Sequence, residues 1–324
     1  MIPPTNTNLL WILEEQVDLV LTQDMARHAV EDALVAHAEG RVEQPLKAYL
    51  RPGGREKEFE QGRAIAMQAS ISDVVFGIKW ITSMPKNVEH GLSRASSVVI
   101  LNSIETGFPK TLIEGATLSH RRTGAVAAVA FEHLGVHDGV VALIGAGPVN
   151  EEVTLALNAL GERVEQFRVF DQNPARAESF FLKMAPKVSR KISISTSLAE
   201  CLSGAPNVIT ATTGSKAYIK PHWVHDARFL LPLSLDDFQP DTLLSAEKIV
   251  VDDFNQCNRE EKLFHHMVRD GRLGREQIYA ELGEIVAGAK RGRVSCEKIY
   301  CNLMGMAVED ISVAEAVFQV VSRG

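Results

Sequence analysis

Val140-Val141-Ala142-Leu143-Ile144-Gly145-Ala146-Gly147-Pro148-Val149-Asn150 decides how this chain folds. Five apolar residues run into Gly-Ala-Gly, and an apolar helical pattern follows at Val153, Leu155, Ala156, Leu157 and Leu160. A buried strand, a tight glycine turn and a helix in that order make a dinucleotide-phosphate site. Gly145 permits the turn, Gly147 lets backbone approach a pyrophosphate, and Pro148 and Val149 open a helix whose N-terminus attracts the anion. Asn150 departs from the fingerprint, because a third glycine there would allow close helix–strand packing. A second strand, Gln166-Phe167-Arg168-Val169-Phe170-Asp171, ends in an acid placed to accept from a ribose 2′-hydroxyl, although a solvated turn aspartate would read the same way. No arginine directly follows Asp171 to receive a 2′-phosphate, so the expected cofactor is NAD rather than NADP.

Beyond this turn, strands alternate with helical patterns. Further strands are expected at Ile192–Ser195, Val208–Ala211, Phe229–Leu233 and Ile249–Val251, with helices at Pro174–Met184 and Leu198–Leu202 between them. Such alternation predicts an α/β fold with a doubly wound, Rossmann-type parallel sheet. Residues 259–289 read as helical, as does Gly305–Val321. Before the glycine turn the pattern differs. Apolar residues at helical spacing cover 22–39 and end at Gly40. Strands are expected at Leu46–Leu50, Ala64–Met67, Val75–Ile81 and Ser97–Asn102, and an alanine-rich helical stretch at Thr111–Leu134.

At 324 residues and 45% hydrophobic, the chain is long for one core. We expect an α+β substrate-binding and dimerisation domain over 1–120 with 302–324, and an NAD-binding domain over 121–301. The net charge of −7 argues against a nucleic-acid partner or an anionic membrane surface. Apolar runs are strand-length, and Met1-Ile2-Pro3-Pro4-Thr5-Asn6 has no secretory pattern. Cys201, Cys257, Cys296 and Cys301 form no Cys-x-x-Cys pair. A reduced cytoplasmic protein without a structural metal is expected.

In a doubly wound sheet, ligands bind beyond the carboxyl ends of the strands. Thr210-Ala211-Thr212-Thr213-Gly214 stands there, where Thr212 and Thr213 can line the nicotinamide-ribose side; an ordinary strand-end turn is the other reading. Leu233-Ser234-Leu235-Asp236-Asp237-Phe238 ends the next strand and brings Ser234 and a carboxylate to the cofactor. Asp252-Asp253 follows the sixth strand, more remotely. Cations should come from the first domain. Lys79 lies mid-strand in Gly77-Ile78-Lys79-Trp80-Ile81, so alternation opposes it to Ile78 and Trp80. A buried lysine needs an anionic partner, and a solvated sheet face is the alternative. Arg122 lies within an alanine-rich helix that must pack, so its guanidinium is expected to address something specific. Arg51, beside Pro52-Gly53-Gly54, is expected in solvent.

Lys79, Arg122-Thr123, the Gly-Ala-Gly turn, Asp237 and Gly305-Met306-Ala307-Val308-Glu309-Asp310 together resemble the ornithine cyclodeaminase/mu-crystallin family. The segments Gln44–Arg51, Gly77–Ile81, Arg94–Ser96, Val250–Glu260 and Asn302–Ala307 extend the likeness over nearly the whole chain. The resemblance implies a two-domain subunit that pairs into a homodimer and acts on a small amino-acid substrate. It gives substrate carboxylates to Lys79 and Arg122, with Lys47, acid/base work at the amine to Asp237, and NAD to Gly145, Gly147 and Asp171. Gln44-Pro45-Leu46-Lys47 and Gln256-Cys257-Asn258-Arg259-Glu260 point to a subgroup that oxidises N-(2-amino-2-carboxyethyl)-L-glutamate to 2-oxoglutarate and L-2,3-diaminopropionate, for siderophores or peptide natural products. Three substrate carboxylates call for several cations, and Lys47, Lys79, Arg94 and Arg122 are a plausible set. A cyclodeaminase, an alanine, opine or ketimine reductase, and a non-catalytic NAD(P)H-binding protein are the alternatives within the family.

Overall fold

Period-two alternation between Arg63 and Asn102 builds the first sheet. In the computed structural model of the chain, residues 9–161, 163–214, 216–259 and 262–323 are described, Glu58 and Phe59 by backbone alone. Two compact units result, Met1–Arg122 with Met306–Gly324, and Thr123–Gly305. The expectation about a leader at Met1–Asn6, and Glu260 of the family segment, lie outside the described residues.

The strands of the first unit are β1 (Leu10–Ile12), β2 (Val42–Glu43), β3 (Ala48–Leu50), β4 (Arg63–Ile71), β5 (Val75–Ser83), β6 (Ala95–Asn102) and β7 (Pro109–Glu114). They run in the order β1-β7-β6-β5-β4-β2, with β3 also on β4; β1 joins β7 in parallel and the other pairs are antiparallel. One face buries Met67, Lys79, Val99, Leu101 and Ile113. The C-terminal helix Ala307–Val321 packs against that sheet and against the helix Gln23–Ala38. The opposite face carries Trp11 and Trp80 exposed, with Ile78, Ile100 and Leu112 half-buried between them.

The second sheet adds β8 (Gly139–Ile144), β9 (Val164–Phe170), β10 (Lys191–Ile194), β11 (Asn207–Thr210), β12 (Phe229–Pro232), β13 (Lys248–Val251), β14 (Ala280–Glu281) and β15 (Ile299–Asn302). Its order is β10-β9-β8-β11-β12-β15-β13-β14, and all its pairs are parallel. Every residue of β8 is buried, as a strand covered on both faces must be. The chain leaves β8 toward β9 and β10, then returns to the other side of β8 at β11. That reversal makes the β8/β11 boundary the topological switch point where ligands bind in such folds.

The expected Rossmann-type α/β fold is what the chain forms. Two local expectations need correction. Thr111–Glu114 is strand, not helix: buried Thr111 and Ile113 alternate with half-buried Leu112 and Glu114, and the helix runs from Ala116 to Leu134. Gly115 separates them, and a Cβ there would lie 2.7 Å from Ser97 Oγ. Residues 259–289 are not one helix either. A helix at Leu263–Arg269 stops before Gly271 (φ +68°), and β14 and a short helix, Leu282–Val286, follow. β1, β2 and β15 carry no expectation from the sequence, and β7 and β14 fall in stretches expected to be helical. No helix among the described residues is long and apolar enough to cross a membrane.

Candidate functional site

At the carboxyl edge of the second sheet, β9, β8, β11 and β12 end side by side. Gly145 leaves β8 at φ +96°, and a Cβ on it would meet the carbonyl oxygen of Ala211 at 2.4 Å. Only glycine can make that turn so close to the end of β11. Gly147 caps the helix Pro148–Ala159, and a Cβ built there would meet nothing within 4 Å. Open space at the head of a long helix suits a diphosphate, and Pro148 at the first helical position removes a donor that no intrahelical bond needs. Asp171 follows β9. Its Oδ2 accepts from Ala146 N–H at 2.9 Å and its Oδ1 from Asn173 N–H at 2.9 Å, which ties the second strand's acid to the glycine turn.

Asn150, the departure from the fingerprint, is fully buried. Its Nδ2 donates to the carbonyls of Ile144 (3.1 Å) and Gly145 (2.6 Å). The side chain thus fills the space a third glycine would leave and pins the end of β8 directly.

Asp237 is 1% exposed, in the loop after β12. Its Oδ2 accepts from Thr210 Oγ1 at 2.6 Å and from Ser234 Oγ, and its Oδ1 from Thr212 Oγ1 at 2.5 Å. Thr212 Oγ1 also accepts from Gly214 N–H within the loop after β11, so its bond to Asp237 ties that loop to the loop after β12. The two loops are stitched again by Tyr218 and Ile219, whose N–H groups both donate to the Asp237 carbonyl. Burial, and then the Asp237 charge, push the Tyr218 phenol well above its usual value. Tyr218 had no expected role; only its contact with Asp237 singles it out. Thr213 is exposed beside this cluster. Asp252 is elsewhere, past β15, with Oδ2 on Gly305 N–H at 2.6 Å and Oδ1 accepting from Cys257 Sγ.

The first unit holds a different polar cluster. Lys79 is fully buried, and its Nζ donates to Asp310 Oδ1 at 2.6 Å and to Ser119 Oγ at 3.3 Å. Arg122 donates from Nε to the same Asp310 oxygen at 2.8 Å and from Nη1 to Glu309 Oε2 at 3.1 Å. The anionic partners therefore come from the start of the C-terminal helix, from Glu309 and Asp310, for which no role is expected from the sequence. Burial pushes the Lys79 ammonium down to about 7; Asp310 works against this, and Arg122 and Lys47 add to it. Arg122 and Lys79 hold the Asp310 carboxyl below its usual range against the opposing effect of burial. Buried Lys47 belongs to this cluster through its charge.

Arg94 does not. Its charged neighbour is Arg63, and burial with that like charge lowers its guanidinium. Arg51 corrects the expectation of a solvent residue: it is half-buried, with its guanidinium carbon 4.8 Å from the Tyr49 ring centroid.

Three comparisons bear on this geometry. The family model for the ornithine cyclodeaminase/mu-crystallin family matches residues 9–324. The chain is 35% identical over 299 residues to the N-((2S)-2-amino-2-carboxyethyl)-L-glutamate dehydrogenase of Staphylococcus aureus, covering 90% of this chain and 88% of that one. It is 32% identical to the alanine dehydrogenase of Archaeoglobus fulgidus, covering 96% and 94%. Among solved structures it is similar to the Δ1-pyrroline-2-carboxylate reductase of Thermococcus litoralis in complex with NADH and L-proline, with a TM-score of 0.89, 25% identity and coverage of 97% and 98%. It is also similar to a dimeric archaeal alanine dehydrogenase with bound NAD, with a TM-score of 0.83, 28% identity and coverage of 97% of each chain. The likeness runs the length of both units: the chain belongs to the ornithine cyclodeaminase/mu-crystallin family.

Proposed function

We propose that this chain is an NAD-dependent dehydrogenase that oxidises N-(2-amino-2-carboxyethyl)-L-glutamate and hydrolyses the product to 2-oxoglutarate and L-2,3-diaminopropionate. The observation that carries the enzymatic reading is Asp237, a buried carboxylate at the carboxyl edge of the second sheet, bonded at the end of β11, the sheet neighbour of the strand that ends in the glycine turn. A protein that only stored a nucleotide would have no use for a carboxylate oriented there.

Gly145, Gly147, Pro148 and Val149 would hold the diphosphate. Asp171 would take the ribose hydroxyls, which favours NAD over NADP, and Thr212, Thr213 and Ser234 would border the nicotinamide side. When bound, NAD+ supplies a hydride acceptor. Asp237 takes the N–H proton of the secondary amine as the Cα hydride leaves, so that a carbon–nitrogen double bond forms. The same carboxylate then assists addition of water to that carbon, and cleavage of the carbon–nitrogen bond releases the keto acid and the diamine. The Thr210, Thr212 and Ser234 hydroxyls fix the carboxylate's direction throughout.

Lys79 and Arg122, with Lys47, would bind the carboxylate next to the reacting carbon. Glu309 and Asp310 hold Arg122 and Lys79 in place for that carboxylate, a grip that would serve alanine equally well. Trp11 and Trp80, 59% and 39% exposed across one sheet face, are the surface on which a second copy of the chain would pair.

Purified protein with NAD+ and the glutamate-derived amine should produce NADH, with 2-oxoglutarate and diaminopropionate in equal amounts by mass spectrometry. NADH from L-alanine but none from this amine would replace the proposal with the alanine reading.

A further inference from the structure

Among the described residues, Asp73 (φ +59°), Asp138 (φ +56°) and Leu235 (φ +74°) are the residues other than glycine with a positive φ. Aspartate tolerates this left-handed region through its short polar side chain. Leucine has no such help, so its backbone must be held there from outside. Leu235 lies two residues before Asp237, in the loop after β12. Backbone strain of this kind persists only where the surroundings fix it, and it gathers at functional sites.

The residue between them supplies a fixing point. Asp236 takes no part in the hydroxyl cluster around Asp237. Its Oδ1 accepts from Leu263 N–H at 2.9 Å and its Oδ2 from Lys262 Nζ at 2.5 Å. Leu263 N–H is a donor at the start of the helix Leu263–Arg269, where no intrahelical carbonyl can reach it. That helix is a firm anchor: Leu263, Phe264 and Met267 are buried, and the Phe264 ring meets Phe254 edge-on with centroids 5.8 Å apart. On the far side of Asp237, Phe238 is fully buried, its ring centroid 5.8 Å from that of Tyr300. Asp237 thus stands between two fastened neighbours, and freeing the first lets Leu235 return to the negative φ that leucine prefers. We infer that Asp236, gripped by Lys262 and the Leu263 N–H, is a positioning residue that holds Leu235 in the left-handed turn and so aims the Asp237 carboxylate at the reacting amine. This rests on the proposed function and deepens it, because the hydroxyls of Thr210, Thr212 and Ser234 can meet Asp237 only where the loop presents it.

The test compares full-length wild type, Asp236→Ala, Lys262→Met and Asp236→Ala combined with Leu235→Gly. Each is assayed with NAD+ and whichever of the glutamate-derived amine and L-alanine the wild type oxidises. Asp236→Ala should lower kcat about ten- to a hundredfold, the cost of a misplaced catalytic group, with KM for the amine and NADH affinity within about threefold. Lys262→Met leaves the Leu263 bond and should lose about three- to tenfold. Glycine takes a positive φ without steric cost, so the double variant should regain about threefold or more of kcat over Asp236→Ala. A merely structural Asp236 gives the opposite order, since removing the Leu235 side chain can then only add damage. Hydrogen–deuterium exchange over residues 233–238 should quicken in Asp236→Ala. An unchanged kcat or unchanged exchange in Asp236→Ala, or a double variant no faster than it, overturns the inference. Should Asp236→Ala fail to fold, Lys262→Met with and without Leu235→Gly decides by the same rescue. Wild-type turnover with an unaffected Asp236→Ala removes this inference alone, whereas no NADH from either amine removes the dehydrogenase reading and this inference with it.

Discussion

Two buried aspartates, one in each unit, are held in opposite ways. Asp237 accepts from three hydroxyls, those of Thr210, Thr212 and Ser234. Asp310 accepts from an ammonium and a guanidinium. Hydroxyls are rotors that can donate or accept, so a proton or an amide arriving at Asp237 can be met by turning them. Lysine and arginine only donate. Removing the charge at Asp310 leaves two buried cations facing an atom that no longer attracts them. The first arrangement suits the acid/base role proposed for Asp237, and the second suits a scaffold for cations.

Asp237→Asn should break this comparison on the side of chemistry. Turnover is expected to fall about a hundred- to ten-thousandfold, the range for loss of a general base, while the melting temperature and NADH affinity stay close to wild type. Stopped-flow NADH formation alongside calorimetry checks both halves. Turnover within about threefold of wild type would take Asp237 out of the mechanism.

Asp310→Asn should do the reverse. Lys79 and Arg122 lose their shared anion, and a buried ion pair broken on one side costs roughly 3–5 kcal/mol. Urea unfolding should show that loss. A loss under about 1 kcal/mol would mean that Glu309 alone can hold both cations.

How much of this was legible in the sequence follows from how far apart the partners are. Gly145, Gly147 and Asp171 were legible because strand, turn and helix are read within a few residues and the acid lies one strand on. Asp237 was legible because the strand it follows is short, apolar and clearly bounded. The partners of Lys79 were not. Its need for an anion could be argued from burial, yet Asp310 is 231 positions away, and no periodicity links them. Arg51 was misread for a related reason. The nearby Pro52-Gly53-Gly54 signals a surface turn, but Tyr49, two residues back on the same sheet face, offers a ring that outweighs it. β15 went unread because four buried residues, Ile-Tyr-Cys-Asn, carry no alternation, and its insertion between β12 and β13 depends on pairing alone.

The smallest expected effect sharpens the comparison from the side of Lys79. With its ammonium pushed down to about 7 by burial, Lys79 is charged below that pH and neutral above it, while Arg122 stays charged throughout. Carboxylate binding should therefore weaken as pH rises through about 7, the direction opposite to loss of an acidic ligand. KM for the substrate, measured between roughly pH 6 and 9, should rise about three- to tenfold across that interval. Lys79→Arg, which cannot lose its proton there, should flatten the rise even if it lifts KM at every pH. If the rise persists unchanged in Lys79→Arg, its source lies elsewhere, and Asp310 then keeps Lys79 charged across the working range. The buried pair would in that case be as fixed in protonation as the Arg122 pair beside it.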